Sequence, residues 1–231
     1  DVFEPGSTVK PFTMSLALAT GAFTPDSLVE TSPGYYRVGG WTIHDIKDYG
    51  ILTLSRVLIK SSNIGTAKIA MEMAPEELYR AFHDIGFGQI TGVELPGEQA
   101  GMLPNRRRWR ASEHAAMAYG YGVAVTPLQL ARAYGVLAEG GVLLPISIRK
   151  RQKPPSGHRV LPADVVTNIN AMLEQVVSPE GTAQLANIPA YRVAGKTGTV
   201  RKLSSEGGYR DDAYQALFAG FAPVSDPRFV L

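Results

Sequence analysis

A serine and a lysine three residues apart, Ser7 and Lys10, are the first residues in the chain whose types and spacing can do chemistry. They lie in Glu4-Pro5-Gly6-Ser7-Thr8-Val9-Lys10-Pro11-Phe12. The Pro5-Gly6 pair marks a turn. Val9, Phe12, Leu16 and Ala19 then recur at roughly helical spacing up to Gly21, which reads as a C-terminal cap. A helix starting at Ser7 puts Ser7 and Lys10 on one face, with free backbone N–H groups beside the hydroxyl. Such a serine can attack a carbonyl carbon once a base takes its proton, and a lysine is that base when its pKa is depressed. The spacing alone is weak, because Ser147 and Lys150 repeat it. That copy lies in Leu143–Ile148, which reads as a strand running into a polar, Pro-rich loop. With no helix behind it, Ser147 is a solvated strand end.

The elements that must position such groups can be followed along the chain. Tyr35–Val38, Gly39-Gly40 and Trp41–His44 predict a hairpin with a two-glycine turn. Helical spacing resumes at Thr53 and runs through Leu54, Val57 and Leu58, is interrupted by Ser61-Ser62-Asn63, and continues through Ile64 and Ile69. Further helices are expected over Pro75–Ile85, Ser112–Ala118, from Thr126-Pro127 to Gly140, and over Pro162–Val177, with a short helical turn from Gly181. A strand through Gly195–Val200, a polar turn over Ser204–Asp212, a strand over Tyr214–Gly220 and a last strand at Arg228–Leu231 complete the chain. Helices followed by adjacent antiparallel strands predict an α+β fold. One domain over 1–231 is expected, its helical part roughly 53–186 and its sheet part roughly 190–231.

Composition excludes several classes. Of 231 residues, 23 are Lys or Arg and 21 Asp or Glu, a balance with no strong attraction for nucleic acid. The one basic cluster, Arg106 to Arg110, reads as a solvated surface segment. No cysteine is present, so thiolate and disulfide chemistry are ruled out. His44, His83, His114 and His158 are scattered without metal-ligand spacing, and no cofactor is expected. No apolar run reaches bilayer-spanning length. The chain opens on Asp1-Val2-Phe3 and stops inside an apolar run, so it reads as a fragment.

Three elements stand in order: Ser7-x-x-Lys10, Ser61-x-Asn63 and Lys196-Thr197-Gly198. Singly, Ser61 is also a loop serine, Asn63 a helix cap and Lys196 an exposed strand lysine. Jointly they resemble the penicillin-binding proteins and serine β-lactamases, in which three such motifs line one acyl-transfer site. The flanking Lys60-Ser61-Ser62-Asn63, Tyr119-Gly120-Tyr121-Gly122, Thr126–Ala131 and Gly195–Thr199 resemble class B penicillin-binding proteins, and among these the division-septum transpeptidases.

The resemblance implies roles for these residues. Ser7 is the nucleophile and Lys10 its base, kept neutral with the help of the charge on Lys196. Ser61 relays a proton toward the leaving amine, and Asn63 holds the substrate's peptide group through an amide donor and acceptor. Thr197 and Thr199 bond a substrate carboxylate, and Gly198 lets the strand backbone approach the ligand. The N–H groups of Ser7 and Thr199 form the oxyanion hole. Tyr119, Tyr121 and Arg201 are lesser candidates for lining the groove, the tyrosines serving equally well as packing around a glycine turn.

The implied activity is D,D-transpeptidation of peptidoglycan stem peptides, with β-lactams acylating the same serine. The resemblance also implies a periplasmic domain of a single-pass inner-membrane protein that works with other cell-division membrane proteins. Its anchor, its non-catalytic module and the ends of the catalytic domain are expected to lie outside this sequence. The rivals are a β-lactamase and a non-enzymatic β-lactam sensor. Against a class A β-lactamase, none of Glu94, Glu98, Glu113, Glu139, Glu174 or Glu180 has an asparagine four residues later.

Overall fold

Residues 1–105, 108–153, 155–203 and 208–231 are described by the computed structural model. The basic cluster at Arg106-Arg107 and part of the expected turn, 204–207, lie outside the described residues.

The chain enters through a 3-10 turn, Gly6–Val9, that leads into α1, Lys10–Ala19. Sequence explains the tighter first turn. In an α-helix the Ser7 carbonyl would accept from residue 11, but Pro11 has no N–H. It accepts from the Lys10 N–H instead, the bond of a 3-10 helix. Eight of the ten α1 residues are buried, so α1 is a central helix rather than an amphipathic surface one. Its polar members are satisfied, Thr13 Oγ1 donating to Ala118 O and Ser15 Oγ to Pro11 O. Phe12 meets the rings of Phe87 and Tyr134 edge-on, at 6.0 and 5.6 Å. The helix ends as its sequence predicts, with Gly21 at φ +73° and its N–H on Leu18 O.

Two small antiparallel pairs follow, β1 (Leu28–Glu30) with β4 (Ile51–Thr53), and the hairpin β2 (Tyr35–Val38) with β3 (Trp41–His44). Gly39 and Gly40 turn that hairpin at positive φ, as expected. Then come α2 (Leu54–Lys60), α3 (Asn63–Met71), α4 (Pro75–Asp84), α5 (Ala111–Ala118) and α6 (Pro127–Ala138). The last of these opens on a capping box between Thr126 and Gln129. The strands β5 (Val142–Leu143) and β6 (His158–Arg159) pair before α7 (Ala163–Val177). The chain closes on an antiparallel sheet of β7 (Ala194–Leu203), β8 (Tyr209–Ala222) and β9 (Phe229–Val230). In that sheet β7 lies at one edge, against α7 and the 3-10 turn. The architecture is the mixed α+β one expected from the sequence, with α1 at its centre.

Three local expectations are corrected. The strand expected over Leu143–Ile148 stops at Leu143, since Pro145 cannot donate to a ladder. The expected turn over Ser204–Asp212 is in part strand, because β8 starts at Tyr209 and pairs it with Leu203. Backbone pairing in a ladder does not need apolar side chains, so a polar run can still be strand. The short helical turn expected from Gly181 begins at Gln184.

Candidate active site

Three elements converge because three glycines let backbones touch. Gly6 sits at φ +52° and donates to Gly120 O at 3.1 Å, while a Cβ on Gly120 would lie 2.1 Å from Gly6 O. The turn carrying Ser7 therefore rests directly on the Tyr119–Gly122 segment. On the other side, a Cβ on Gly198 would stand 3.0 Å from both Pro5 O and Thr8 Cγ2. This corrects the expectation that Gly198 makes room for a ligand. What it admits is the turn that carries Ser7, so β7 packs against Pro5 and Thr8 on either side of the serine.

The second motif is placed by helix termini. Ser62 N donates to Val57 O and Ser61 N to Leu58 O, the bonding pattern of a Schellman cap on α2. Ser61 takes the left-handed position, φ +59°, that normally calls for glycine. A non-glycine residue held there costs about 1 kcal/mol or more, a strain that functional sites tend to collect. Ser62 caps α3 by accepting from Gly65 N at 2.8 Å. Asn63 is thereby freed from capping, and its side chain turns into the site.

Lys10 and Lys196, both fully buried, meet on Ser61. Lys10 Nζ donates to Ser61 O (2.6 Å), to Asn63 Oδ1 (2.7 Å) and at longer range to Ser61 Oγ (3.3 Å). Lys196 Nζ donates to Ser61 Oγ (2.9 Å) and to Thr197 O (3.0 Å). One hydroxyl thus stands between two amines. Ser7 itself is half-buried, and none of these lysine bonds goes to it. Asn63 Oδ1 accepts from Lys10 and one amide N–H donates to His44 O (3.1 Å), which leaves the other N–H and the second lone pair of Oδ1 for a ligand.

Burial holds Lys10 well below its ordinary range, and the charge on Lys196 pushes it further down, against an opposing pull from Asp45. Burial alone brings Lys196 to about 7. Lys10 carries both effects, and both favour its neutral form. Neutral Lys10 has two N–H bonds to give, enough for Ser61 O and Asn63 Oδ1, and a lone pair to take a proton.

Asp45 escaped the sequence reading. Its carboxylate accepts from Ser62 Oγ, from Asn63 N (2.6 Å) and from Ile64 N (3.2 Å), so it anchors the Ser61–Asn63 loop from the end of β3. No spacing signals it, since it sits 16 residues before Ser61. Tyr209 was missed too, inside a stretch read as a turn. It extends an aromatic run in which Tyr119–Tyr121 and Tyr121–Tyr209 meet edge-on at 5.7 and 5.6 Å. Its hydroxyl donates to Glu4 Oε1, which also accepts from Gly122 N. Burial raises Tyr121, and takes Tyr119 to about 12.

These three tyrosines, with Asn63 and Arg201, line a cleft of about 580 Å³. Tyr119, Tyr121 and Arg201 are therefore brought together with the second motif. Thr197 is half-buried and Thr199 exposed on β7. Ser147 lies apart, exposed and, among the described residues, bonded only to its own turn at Arg149. No group of His, Cys, Asp or Glu that could hold a metal occurs among the described residues.

A family profile for the penicillin binding protein transpeptidase domain matches residues 1–231. The chain is 42% identical over 232 residues to a probable peptidoglycan D,D-transpeptidase, PbpC, of Pseudomonas aeruginosa. It is 43% identical over 231 residues to peptidoglycan D,D-transpeptidase FtsI of Escherichia coli K12. All of this chain is covered, but only 41% and 39% of those relatives, so it spans about two fifths of their length. The apo TP domain of penicillin-binding protein 3 from Burkholderia pseudomallei superposes with a TM-score of 0.95 at 47% identity, covering all of this chain and 70% of that one. The shared fold and the match along every residue agree with the order of the three motifs, and the chain belongs to the penicillin binding protein transpeptidase domain family.

Proposed function

We propose that this domain is a serine D,D-transpeptidase that cross-links peptidoglycan stem peptides through an acyl-enzyme on Ser7. The observation that carries the reading is the single hydroxyl of Ser61, bonded by two buried lysines from two other elements. In the proposed reaction neutral Lys10 takes the proton of Ser7 as Oγ bonds to the carbonyl carbon of the penultimate D-Ala. The N–H groups of Ser7 and Thr199 hold the tetrahedral oxyanion. The C–N bond then breaks, and the proton passes from Lys10 through Ser61 Oγ to the departing D-Ala amine. An amine on a neighbouring stem peptide attacks the ester, its proton returns along the same route, and Ser7 is regenerated. Thr197 and Thr199, with Lys196 protonated, hold the terminal carboxylate, and the tyrosine-lined cleft holds the rest of the donor. A β-lactam places its ring carbonyl in the same position and leaves a stable ester.

We further propose a role in septal wall synthesis, on the likeness of the segments flanking the motifs to those of division-septum transpeptidases. By the same likeness we place the domain on the outer side of the inner membrane, in a single-pass protein working with other division proteins. None of the helices among the described residues is long and apolar enough to cross a membrane.

The test is mass spectrometry after incubation with a penicillin. A single adduct should map to Ser7, vanish in Ser7→Ala and persist in Ser147→Ala. An adduct that survives Ser7→Ala would sink the reading.

A further inference from the structure

Thr182 belongs to none of the three motifs, yet its hydroxyl lies 2.9 Å from that of Thr197 on β7. The segment that carries it is tightly held. Gly181 N donates to Ser178 O and Ala183 N to Val176 O, both at 2.9 Å, so the chain folds back over the end of α7. A Cβ on Gly181 would lie 2.0 Å from Val176 O, so only glycine lets Thr182 reach this place. The same strap is tied to the helix that ends at Ser61. Lys60 Nζ donates to Glu180 O at 2.7 Å, and Arg56 pairs with the Glu180 carboxylate at 3.3 Å. Thr182 is thus positioned by α7 and by α2 together, and its hydroxyl makes no other hydrogen bond among the described residues.

We propose that Thr182 is a positioning residue for carboxylate recognition: it donates to Thr197 Oγ1 and so aims the one Thr197 proton at the terminal carboxylate of the acyl donor. This rests on the transpeptidase reading above. A threonine hydroxyl has one proton and accepts through two lone pairs, so the free pair can bond either way round. A carboxylate can only accept. Once one is bound at Thr197, that hydroxyl must donate to it, and the remaining polarity has Thr182 donating to Thr197. Two hydroxyls in series polarise one another, and the outer bond goes to a charged acceptor. Removing the Thr182 hydroxyl frees the Thr197 rotor. A cleft of about 510 Å³ lined by residues 181–186, Thr197 and Phe218 opens beside the pair. Water can therefore replace the missing group, which keeps the effect modest.

The experiment compares second-order acylation rates for a penicillin and for its methyl ester, in the wild type, Thr182→Val, Thr182→Ala and Thr182→Ser. With the free acid, the valine and alanine variants should lose about three- to tenfold, the worth of one hydrogen bond. Serine should restore the rate to within about twofold of wild type, since it returns the same donor. With the ester, which lacks the anion, all four should agree within about twofold. Equal losses on acid and ester would show that Thr182 merely supports the strand, and no loss on the acid would show that it does nothing; either overturns the proposal. A wild type that no penicillin acylates would instead refute the transpeptidase reading, so the two failures are distinguishable.

Discussion

Arginine at position 196 separates the charge of Lys196 from its titration. The wild-type amine titrates at about 7, because it is fully buried. Acylation needs it protonated, to hold the ligand's carboxylate and to repel a proton from Lys10. At pH 9 only about one molecule in a hundred keeps that proton, two pH units above the pKa. About half the molecules carry the proton at pH 7, so the second-order acylation rate, which reports the free enzyme, should fall about fiftyfold between pH 7 and 9. Lys196→Arg carries a charge that does not titrate in this range. Its longer side chain has to fit a closed site now shaped for bonds of 2.9 Å to Ser61 Oγ and 3.0 Å to Thr197 O. Spoiling about one such bond costs about 1.4 kcal/mol, or roughly tenfold in rate. The variant should be about ten times slower than wild type at pH 7, should not fall on the alkaline side, and should overtake wild type near pH 8. The assay is stopped-flow acylation by a chromogenic β-lactam from pH 5 to 9.5, after thermal melts confirm that both proteins are folded. Parallel alkaline falls in the two proteins, or a wild-type rate flat between pH 7 and 9, would refute the assignment of the protonated amine to Lys196.

Lys10→Arg should lose at least about a hundredfold in acylation at every pH, since a general base typically contributes 10²–10⁴-fold and arginine cannot serve as one. Asp45→Asn removes the attraction that opposes the depression of Lys10, so the acid limb of the acylation profile should move to lower pH. It also spoils part of the loop anchor, at a cost of about 1–3 kcal/mol in denaturant unfolding. Gly120→Ala should destabilise by about 2–5 kcal/mol, combining a positive φ with a Cβ 2.1 Å from Gly6 O, whereas Gly198→Ala, with contacts at 3.0 Å, should cost about 1–3 kcal/mol. The penicilloyl adduct on Ser7 should outlast a chase of many minutes, because no glutamate has the spacing that would mark a deacylating base; β-lactam turnover within seconds would favour the β-lactamase alternative.

Much of the fold can be read in the chain because its signals are local. Pro-Gly and Gly-Gly pairs set turns, Thr126-Pro127 opens α6, and apolar spacing marks α1, α2, α3, α4 and α7. The errors fall where a local rule meets a non-local one. The polar run before Tyr214 is half strand, because β7 offers it a ladder. The apolar run at Leu143 ends early, because one proline withholds a donor.

Sequence by itself determined which reactive groups the chain carries. The order of Ser7, Lys10, Ser61, Asn63, Lys196 and Thr199 resembles that of a family in which such residues serve as nucleophile, base, relay and anion subsite, and residue type is a property of the chain alone. It also determined the 3-10 turn at Ser7, through the missing N–H of Pro11. Tertiary structure decided what each group costs to charge and whom it touches. A lysine's pKa depends on burial and on neighbours distant in sequence, so only the fold shows that Lys10 and Lys196 share one hydroxyl 51 and 135 residues away from them. The same holds for Asp45, for Tyr209 and for Thr182, whose partners come from other elements. Gly198 states the division most plainly: its lack of a Cβ is written in the sequence, but only packing shows that the space goes to Pro5 and Thr8.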